Sequence, residues 1–425
     1  MIQLVKGFKD ILPGEIELWQ HIETTAAKHF QSFGFKEIRI PVLERTELFS
    51  RSIGDDTDIV EKEMYTFADR KGEMLTLRPE ATASVVRAYI QHKLHADNLP
   101  RKLYTIGPMF RRERPQKGRF RQFYQINAEV FGVASPLVDA QMIFMLMGLF
   151  TKLSVPEISA HINSIGCPDC RPRFKAAMTA FLETRMNSLC EDCRKRSTRN
   201  PLRVLDCKVP GCREAIEGAP SLESHLCCDC ADHFHTVKSS LTDLNIPFVH
   251  DHRLVRGLDY YTRTTFEIQT QALGAQNAVA GGGRYDELVK FLGGPPQPAF
   301  GFAIGFDRLA AILEPRQEDF QRHPALFVAA LGKAGQETAF QWLCALNEMG
   351  IPAEMDLENR SLKSQMKQAD RLHAALVLIL GDDEIQKQVA VLRNMETKEQ
   401  EEIPVADVIP ALMKILTARK ADGKE

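Results

Sequence analysis

The first strong pattern is a stripe of apolar residues at three- and four-residue steps, which predicts a helix over residues 15–33. The apolar residues on this face are Trp19, Ile22, Ala26, Phe30 and Phe33. Gly34 follows, as glycine often does at the end of a helix. Residues 37–43 alternate apolar and charged side chains and predict a strand with one buried face. Pro41 lacks a backbone donor and favours an edge or interface position.

The pattern over the first three quarters of the chain predicts strands followed by helices, without strict alternation. Further strands are predicted at residues 74–78, 103–110, 122–130, 158–162, 264–270, near 278 and at 299–304. Helices are predicted from residue 80 and over residues 137–153. This order favours an α+β domain on an antiparallel sheet. We assign it residues 1–320, interrupted by a mostly helical, cysteine-rich insertion at 167–248.

A polar linker at residues 314–324 separates this domain from a different pattern. Strands are predicted at 326–331, 352–356, 375–380 and 388–392, and helices at 337–349, 361–372 and 405–416. Alternation at these intervals is typical of a small α/β domain with a largely parallel sheet. We assign this domain residues 325–425.

Composition supports a globular, non-membrane protein. The 425 residues include 54 Lys and Arg and 56 Asp and Glu, for a net charge of −2, and 44% are apolar. The longest apolar run, residues 142–150, is far shorter than the ~20 residues that span a bilayer. Charged residues near the N-terminus, such as Lys6 and Lys9, argue against a signal peptide. We therefore expect a cytoplasmic protein.

Nine of the ten cysteines fall between Cys167 and Cys230. Without an export signal, metal ligands or reduced thiols are more consistent with this clustering than disulfides. Two C-x-x-C pairs have the spacing of a tetrahedral zinc knuckle, namely Cys167 with Cys170 and Cys190 with Cys193. Further pairs are Cys207 with Cys212, and Cys227 or Cys228 with Cys230. The spacing leaves the pairing open.

Residues 111–121 contain six basic residues and one acid between two predicted strands. Arginine suits bidentate binding of triphosphate or an RNA backbone, whereas a solvated turn is the simpler interpretation. We favour a polyanion site.

Three further segments combine glycine with charged or aromatic residues. Residues 256–262 read Arg-Gly-Leu-Asp-Tyr-Tyr-Thr, and residues 281–286 read Gly-Gly-Gly-Arg-Tyr-Asp. Residues 301–308 form a glycine-spaced strand that leads into a helix bearing Asp307 and Arg308. Glycine allows a ligand to approach the backbone closely, although each segment could also be a plain turn or strand end.

Together these segments resemble the histidyl-tRNA synthetase family, a family of class II aminoacyl-tRNA synthetases, over nearly the whole length. Residues 35–44, 110–129 and 301–308 resemble the three motifs of the class, and the first of them builds the dimer interface. Residues 256–261 and 281–286 resemble the signatures specific for histidine. Residues 78–82 resemble the loop that receives the ammonium group of the amino acid.

The resemblance implies a reaction in two steps. The carboxylate of histidine attacks the α-phosphorus of ATP, and the acyl group then passes to the terminal ribose of tRNA. The resemblance implies that Arg111 binds the α-phosphate of ATP and that Arg308 binds the γ-phosphate. It also places Arg119 on the side of the site that binds ATP. Arg256 lies against the carboxylate and the α-phosphate and stabilises the transition state.

The resemblance also assigns the amino-acid pocket. The residues expected to accept from the ammonium group are Glu80, Thr82 and Gln125. Glu129 and Tyr261 would read the imidazole ring, and Tyr260 and Tyr285 would line the same pocket. A site built to hydrogen-bond a ring rejects analogues that lack its partners.

The implied substrates and partners are L-histidine, ATP with Mg²⁺, tRNA(His) and a second copy of the chain. The domain after residue 324 resembles the anticodon-binding domain of the family. Family members do without a metal. Zn²⁺ in the insertion would therefore be structural and remote from the chemistry, and its candidate ligands are Cys167, Cys170, Cys190 and Cys193.

Two alternatives stay open: a non-catalytic, histidine-binding regulatory subunit of ATP phosphoribosyltransferase, or the same fold acting on threonine or proline.

Overall fold

The computed structural model describes residues 1–54, 57, 59–116, 118–273 and 277–421. The described chain forms two compact units, Met1–Phe320 and Gln321–Glu425. Among the described residues, none of the helices combines the length and the apolar character needed to cross a bilayer.

The first unit contains eleven strands and ten α-helices among its described residues. The strands are β1 (Lys36–Glu37), β2 (Leu43–Arg45), β3 (Tyr65–Ala68), β4 (Met74–Leu77), β5 (Arg101–Phe110), β6 (Gln122–Phe131), β7 (Ile158–Ser164), β8 (Phe248–His250), β9 (Thr262–Thr270), β10 (Ala278–Arg284) and β11 (Ala299–Gly305). The helices are α1 (Ile16–Ser32), α2 (Thr46–Ile53), α3 (Thr82–Gln91), α4 (Pro136–Lys152), α5 (Arg171–Glu183), α6 (Glu191–Arg199), α7 (Pro210–Ala215), α8 (Cys228–Asp243), α9 (Leu288–Phe291) and α10 (Phe306–Leu313).

Eight strands form the central sheet in the order β1-β5-β6-β11-β10-β9-β7-β8. The six inner strands pair antiparallel, and only the outermost pairs, β1 with β5 and β7 with β8, are parallel. This arrangement confirms the predicted antiparallel α+β fold. Strands β2, β4 and β3 form a separate small sheet.

Besides a small cluster around Phe49, two large buried clusters fill the first unit. One packs α1, α4 and α10 against the sheet, with Trp19, Phe30, Leu146 and Phe302 among its members. The other joins α3 to the insertion, which comprises helices α5 to α8 between β7 and β8. Because Phe174 and Val204 of the insertion share this cluster with Tyr261 and Tyr285, the insertion is packed beneath the histidine-signature residues.

The predicted strand at residues 37–43 is wrong in extent, since only its two ends belong to strands β1 and β2. The Arg78 guanidinium donates to the carbonyls of Ile40 (2.7 Å) and Pro41 (3.2 Å). These carbonyls therefore bond a side chain instead of a neighbouring strand, and Pro41 has no N–H to offer.

The second unit has one sheet in the order β13-β12-β14-β15-β16. Its strands are β12 (Leu326–Ala330), β13 (Ala353–Met355), β14 (Leu376–Leu380), β15 (Val389–Asn394) and β16 (Gln400–Pro404), and its helices are α11 (Gly332–Glu348), α12 (Leu362–Arg371), α13 (Asp382–Gln386) and α14 (Val408–Ala421). Strands β13, β12 and β14 are parallel, whereas β15 and β16 are antiparallel. The predicted α/β pattern is confirmed, and the parallel part covers three of its five strands.

Candidate active site

A cavity of about 430 Å³ lies over the central sheet of the first unit. Nine of the candidate residues line it: Glu80, Thr82, Arg111, Arg119, Gln125, Arg256, Tyr260, Tyr261 and Arg308. They come from the start of α3, the loop between β5 and β6, strand β6, the segment before β9 and helix α10. The antiparallel order of β6, β11, β10 and β9 brings these distant segments together.

The cationic side of the cavity is built from the basic run, which is residues 111–121, and from helix α10. Arg111 follows β5, and its Nε donates to the Pro79 carbonyl at 2.9 Å. Arg119 pairs with Glu113 at 3.1 Å, and Arg308 donates to the Ala278 carbonyl at 2.7 Å. Burial lowers the pKa of both Arg111 and Arg308 from the usual arginine value. Lys117 of the basic run lies outside the described residues.

Arg256 stands between an acid and a glycine. Its guanidinium pairs with Glu267 of β9, and a Cβ at Gly281 of β10 would overlap the same guanidinium. Glycine at position 281 therefore leaves the space that this guanidinium occupies. Burial opposes the charge of Arg256, but Glu267, Tyr261 and Tyr260 together outweigh it, and the pKa of Arg256 is raised.

The amino-terminal end of α3 supplies the acceptor side. The Glu80 carboxylate accepts from the backbone N–H of Thr82 at 2.6 Å and of Ala83 at 2.9 Å. Burial raises the pKa of Glu80. Among the described residues no group donates to the buried Oε1 of Gln125, which leaves an acceptor open at the cavity.

Glu129 is almost fully buried, with 1% of its surface exposed, and does not line the cavity itself. One carboxylate oxygen accepts from the Thr82 hydroxyl at 2.7 Å and the other from the Tyr285 hydroxyl. A Cβ at Gly301 of the neighbouring strand would overlap this carboxylate. Burial raises the pKa of Glu129 to about 8, although both hydroxyls oppose the rise.

The three signature tyrosines form a contiguous group beside this carboxylate. The rings of Tyr260 and Tyr261 lie 4.7 Å apart, and those of Tyr260 and Tyr285 lie 5.6 Å apart, edge to face. Burial raises the pKa of all three hydroxyls above the usual tyrosine value. They therefore stay protonated and can donate to a ligand or to Glu129.

The residues that line the cavity but were not predicted from the sequence include Asn127, Arg203, Asp206 and Glu267. A signal for Asn127 was present, because Gln125, Asn127 and Glu129 alternate along β6 and share one face. Glu267 likewise lies on a recognised strand. Arg203 and Asp206 belong to the insertion, and nothing local in the sequence indicates that this segment reaches the cavity.

The cysteines of the insertion gather into two groups of four. The first cluster is Cys167, Cys170, Cys227 and Cys230, and the second cluster is Cys190, Cys193, Cys207 and Cys212. Within each, all four sulfurs lie within 4.8 Å of one another, and all ten cysteines are free thiols. The two predicted C-x-x-C pairs therefore belong to different clusters. Arg203 and Asp206 lie between cysteines of the second cluster and line the cavity, so this segment of the insertion reaches the candidate active site.

The fold and the cavity define a class II aminoacyl-tRNA synthetase. The sequence model described as histidyl-tRNA synthetase matches residues 7–309, and the one described as anticodon binding domain matches residues 326–415. The chain belongs to the histidyl-tRNA synthetase family. The known reaction of the family is the attachment of histidine to tRNA, and the predicted enzyme class and α/β anticodon-binding domain are thereby confirmed.

Close relatives span the whole chain. It is 63% identical to the histidine–tRNA ligase of Desulfatibacillum aliphaticivorans, over 95% of this chain and 96% of that protein. It is 62% identical to the histidine–tRNA ligase of Desulfosudis oleivorans, over 99% of this chain and 100% of that protein. The crystal structure of apo S. aureus histidyl-tRNA synthetase is 35% identical, with a TM-score of 0.82, and the match covers 97% of this chain and 100% of that one.

Proposed function

We propose that this chain joins L-histidine to tRNA(His) through a histidyl-adenylate formed in the cavity of about 430 Å³. An oxygen of the histidine carboxylate attacks the α-phosphorus of ATP, the bond to the β-phosphate breaks, and diphosphate leaves. A hydroxyl of the terminal ribose of tRNA then attacks the carbonyl carbon, and AMP leaves. The observation that carries this proposal is the meeting of Arg111, Arg256 and Arg308 in one cavity beside Glu80 and Gln125.

The arginines supply what phosphoryl transfer requires, which is positioning and stabilisation of charge. We propose that Arg111 binds the α-phosphate, Arg308 the γ-phosphate and Arg119 the same nucleotide. Arg256 bridges the carboxylate and the α-phosphate, where negative charge develops. Mg²⁺ would accompany the phosphates of ATP, and carboxylates that line the cavity, such as Glu113 and Glu267, are of the type that it binds.

The acceptors at the start of α3 suit an ammonium group. We propose that Glu80, Thr82 and Gln125 bind the α-ammonium of histidine, with the open Oε1 of Gln125 as a direct acceptor. Burial raises the pKa of Glu80 and thus favours its neutral form. A bound ammonium group would act in the opposite direction and favour the ionised carboxylate.

Glu129 and Tyr261 read the imidazole ring in this proposal. Tyr260 lines its pocket, whereas Tyr285 does not line the cavity and donates to Glu129. The hydroxyls of Thr82 and Tyr285 occupy both oxygens of Glu129. Each carboxylate oxygen can accept a second hydrogen bond, so an N–H of the ring can bond to Glu129 beside these hydroxyls.

We further propose that the protein acts in the cytoplasm as a homodimer and that the second unit contacts the anticodon of tRNA(His). The match of residues 326–415 to an anticodon-binding domain supports the last point. Zn²⁺ bound by cysteines of the insertion belongs to the same proposal.

Exchange of labelled diphosphate into ATP tests the proposal, with each of the twenty amino acids in turn. We expect exchange with histidine alone, and Arg256→Ala should reduce it by about 100- to 1,000-fold, since a donor that acts on transition-state charge is lost. The matched control is Arg253→Ala, which removes an exposed arginine three positions away.

Two results would contradict this assignment. Near-normal exchange by Arg256→Ala would exclude its catalytic role. Absence of exchange with every amino acid would favour the non-catalytic regulatory subunit, and exchange with threonine or proline would favour a different specificity.

A further inference from the structure

We propose that the insertion binds two structural zinc ions, one in each four-cysteine cluster, and that they hold the insertion against the loop that carries Arg256. The zinc sites are independent of the reaction, whereas the effect on the loop rests on the function proposed above.

Distances between sulfurs fit single ions. In the first cluster Cys167 Sγ lies 3.6 Å from Cys170 Sγ and 4.0 Å from Cys227 Sγ. In the second, Cys190 Sγ lies 3.9 Å from Cys207 Sγ. A tetrahedron with Zn–S bonds of about 2.3 Å has sulfur–sulfur edges of about 3.8 Å, and a disulfide bond is only about 2.05 Å long. The clusters have the size of an occupied tetrahedral site.

The surroundings of the sulfurs favour thiolates. The Cys227 N–H donates to Cys170 Sγ and the Cys190 N–H donates to Cys212 Sγ, both at 3.1 Å. Cys170, Cys190 and Cys227 each stand directly before a helix, namely α5, α6 and α8. Backbone donors and helix N-termini stabilise negative charge on metal-bound sulfur.

Zinc is the ion that the chemistry favours. Four thiolates around one centre suit zinc or iron. In a multi-iron cluster the four thiolates are divided between two or four irons, so the sulfurs would be spread further apart than they are here. The proposed ligation transfers no electrons, and a zinc ion, which has no redox chemistry, meets a purely structural need.

The second cluster is connected to the catalytic loop by the short segment between its cysteines. Arg203 Nη1 donates to the carbonyl of Arg256 at 3.1 Å, and Asn200 Nδ2 donates to Asp259 Oδ1 at 3.2 Å. Cys193 and Cys207 lie on either side of this segment, so a metal bound to both fixes its two ends. Arg203 is thus a positioning residue for Arg256.

The first cluster holds the other end of the same loop. Arg171 directly follows Cys170, and its guanidinium donates to the carbonyl of Tyr261. The N–H of Arg263 donates to the Gly166 carbonyl at 2.8 Å, one residue before Cys167. Residues 256–263 are therefore attached at both ends to segments that the two ions would fix.

Elemental analysis of the purified, reduced full-length protein tests the ions. We expect two zinc ions per chain, and one after either Cys193→Ser or Cys230→Ser. Cys228→Ser is the matched control, because Cys228 is exposed, adjacent to a proposed ligand and outside both clusters. This variant should keep two zinc ions. Iron with visible absorption would overturn the choice of metal, and metal-free protein with full exchange activity would overturn both sites.

Arg203→Ala tests the connection without touching a cysteine. It should keep both zinc ions and the KM for ATP, but lower histidine-dependent kcat/KM by up to about 100-fold, as expected when a catalytic group is displaced by about 1 Å. Arg203→Lys should recover part of the loss, because an ammonium group can also donate to the Arg256 carbonyl. Unchanged histidine kinetics in Arg203→Ala would overturn the positioning role while leaving the zinc measurement valid.

Discussion

At the scale of the residue, Glu129 shows how neighbours control one carboxyl group. Its burial raises its pKa to about 8, so a neutral form is favoured in the free protein at neutral pH. Gly301 leaves the space that the carboxylate occupies, and the hydroxyls of Thr82 and Tyr285 occupy its oxygens. A ligand that donates a hydrogen bond to Glu129 would favour the ionised form. Binding of the ring is therefore expected to release a proton from this group.

Glu129→Gln should raise the KM for histidine more than the KM for ATP. The amide keeps the size of the side chain but replaces one acceptor oxygen by a donor, which changes the hydrogen bonds available to the ring and to the hydroxyls of Thr82 and Tyr285. Diphosphate exchange measured against each substrate gives the two KM values. Equal increases in both would contradict the role in reading imidazole.

A site residue can be predicted from the sequence when a local motif marks it, but not when only tertiary packing brings it to the cavity. Arg111, Arg256 and Arg308 lie in dense local motifs, and the cavity does contain all three. Asn127 could have been added from the alternation along β6. Arg203 could not, because its place at the cavity depends on the packing of the insertion, with Val204, Tyr261 and Tyr285 in one cluster. Tertiary contacts of this kind leave no local periodicity.

At the scale of the element, the carboxyl end of β10 and the residue after it supply side chains to two different parts of the first unit. Tyr285, which follows it, donates to Glu129 on the cavity side. Arg284, one residue earlier, is completely buried and pairs with Asp139 of α4 and with Asp286. His233 also contacts the Asp139 carboxylate at 2.8 Å. The histidine-specific signature therefore includes a residue that joins a strand to a helix in the core.

Arg284→Met should lower the free energy of unfolding by about 3–5 kcal/mol, because it leaves the buried Asp139 carboxylate without its arginine. Urea unfolding measures the change. The control is Arg316→Ala, which breaks an exposed pair with Asp319 and should cost about 0–1 kcal/mol. A loss no larger than that of the control would show that the buried pair does not stabilise the fold.

Predicted elements agree with the structure where apolar periodicity is strong. Strands β5, β6 and β14 and helices α1 and α4 were all expected within a few residues of their bounds. Strands β3 and β16 were missed, because both are largely exposed edge strands of their sheets and lack a buried face that would give an alternating pattern.

At the scale of the whole molecule, the proposed dimer depends on residues 35–44. Val42 and Leu43 of this segment are each 38% exposed in the single chain. Their side chains are thus available to a second copy, as the resemblance to the first class motif implies.

Light scattering should give a mass twice the 47.9 kDa of the chain, and Val42→Asp should shift it toward the single-chain value, since a charge would be buried at the interface. Val249→Asp is the control, because Val249 is a similarly exposed valine in a different part of the first unit. A monomeric unmodified protein, or a Val42→Asp variant that remains fully dimeric, would contradict this placement of the interface.

The pairing of β6 with β11 has a consequence for the order of events during synthesis. Glu129 stands opposite Gly301, its partner about 170 residues later in the chain. At about 5–20 residues per second, the ribosome completes β11 on the order of ten seconds or more after β6. Until then one edge of β6 lacks its neighbour and is open to association with other nascent chains. Because Arg308 of the cavity also follows β11, amino-acid activation can appear only after this strand has been made.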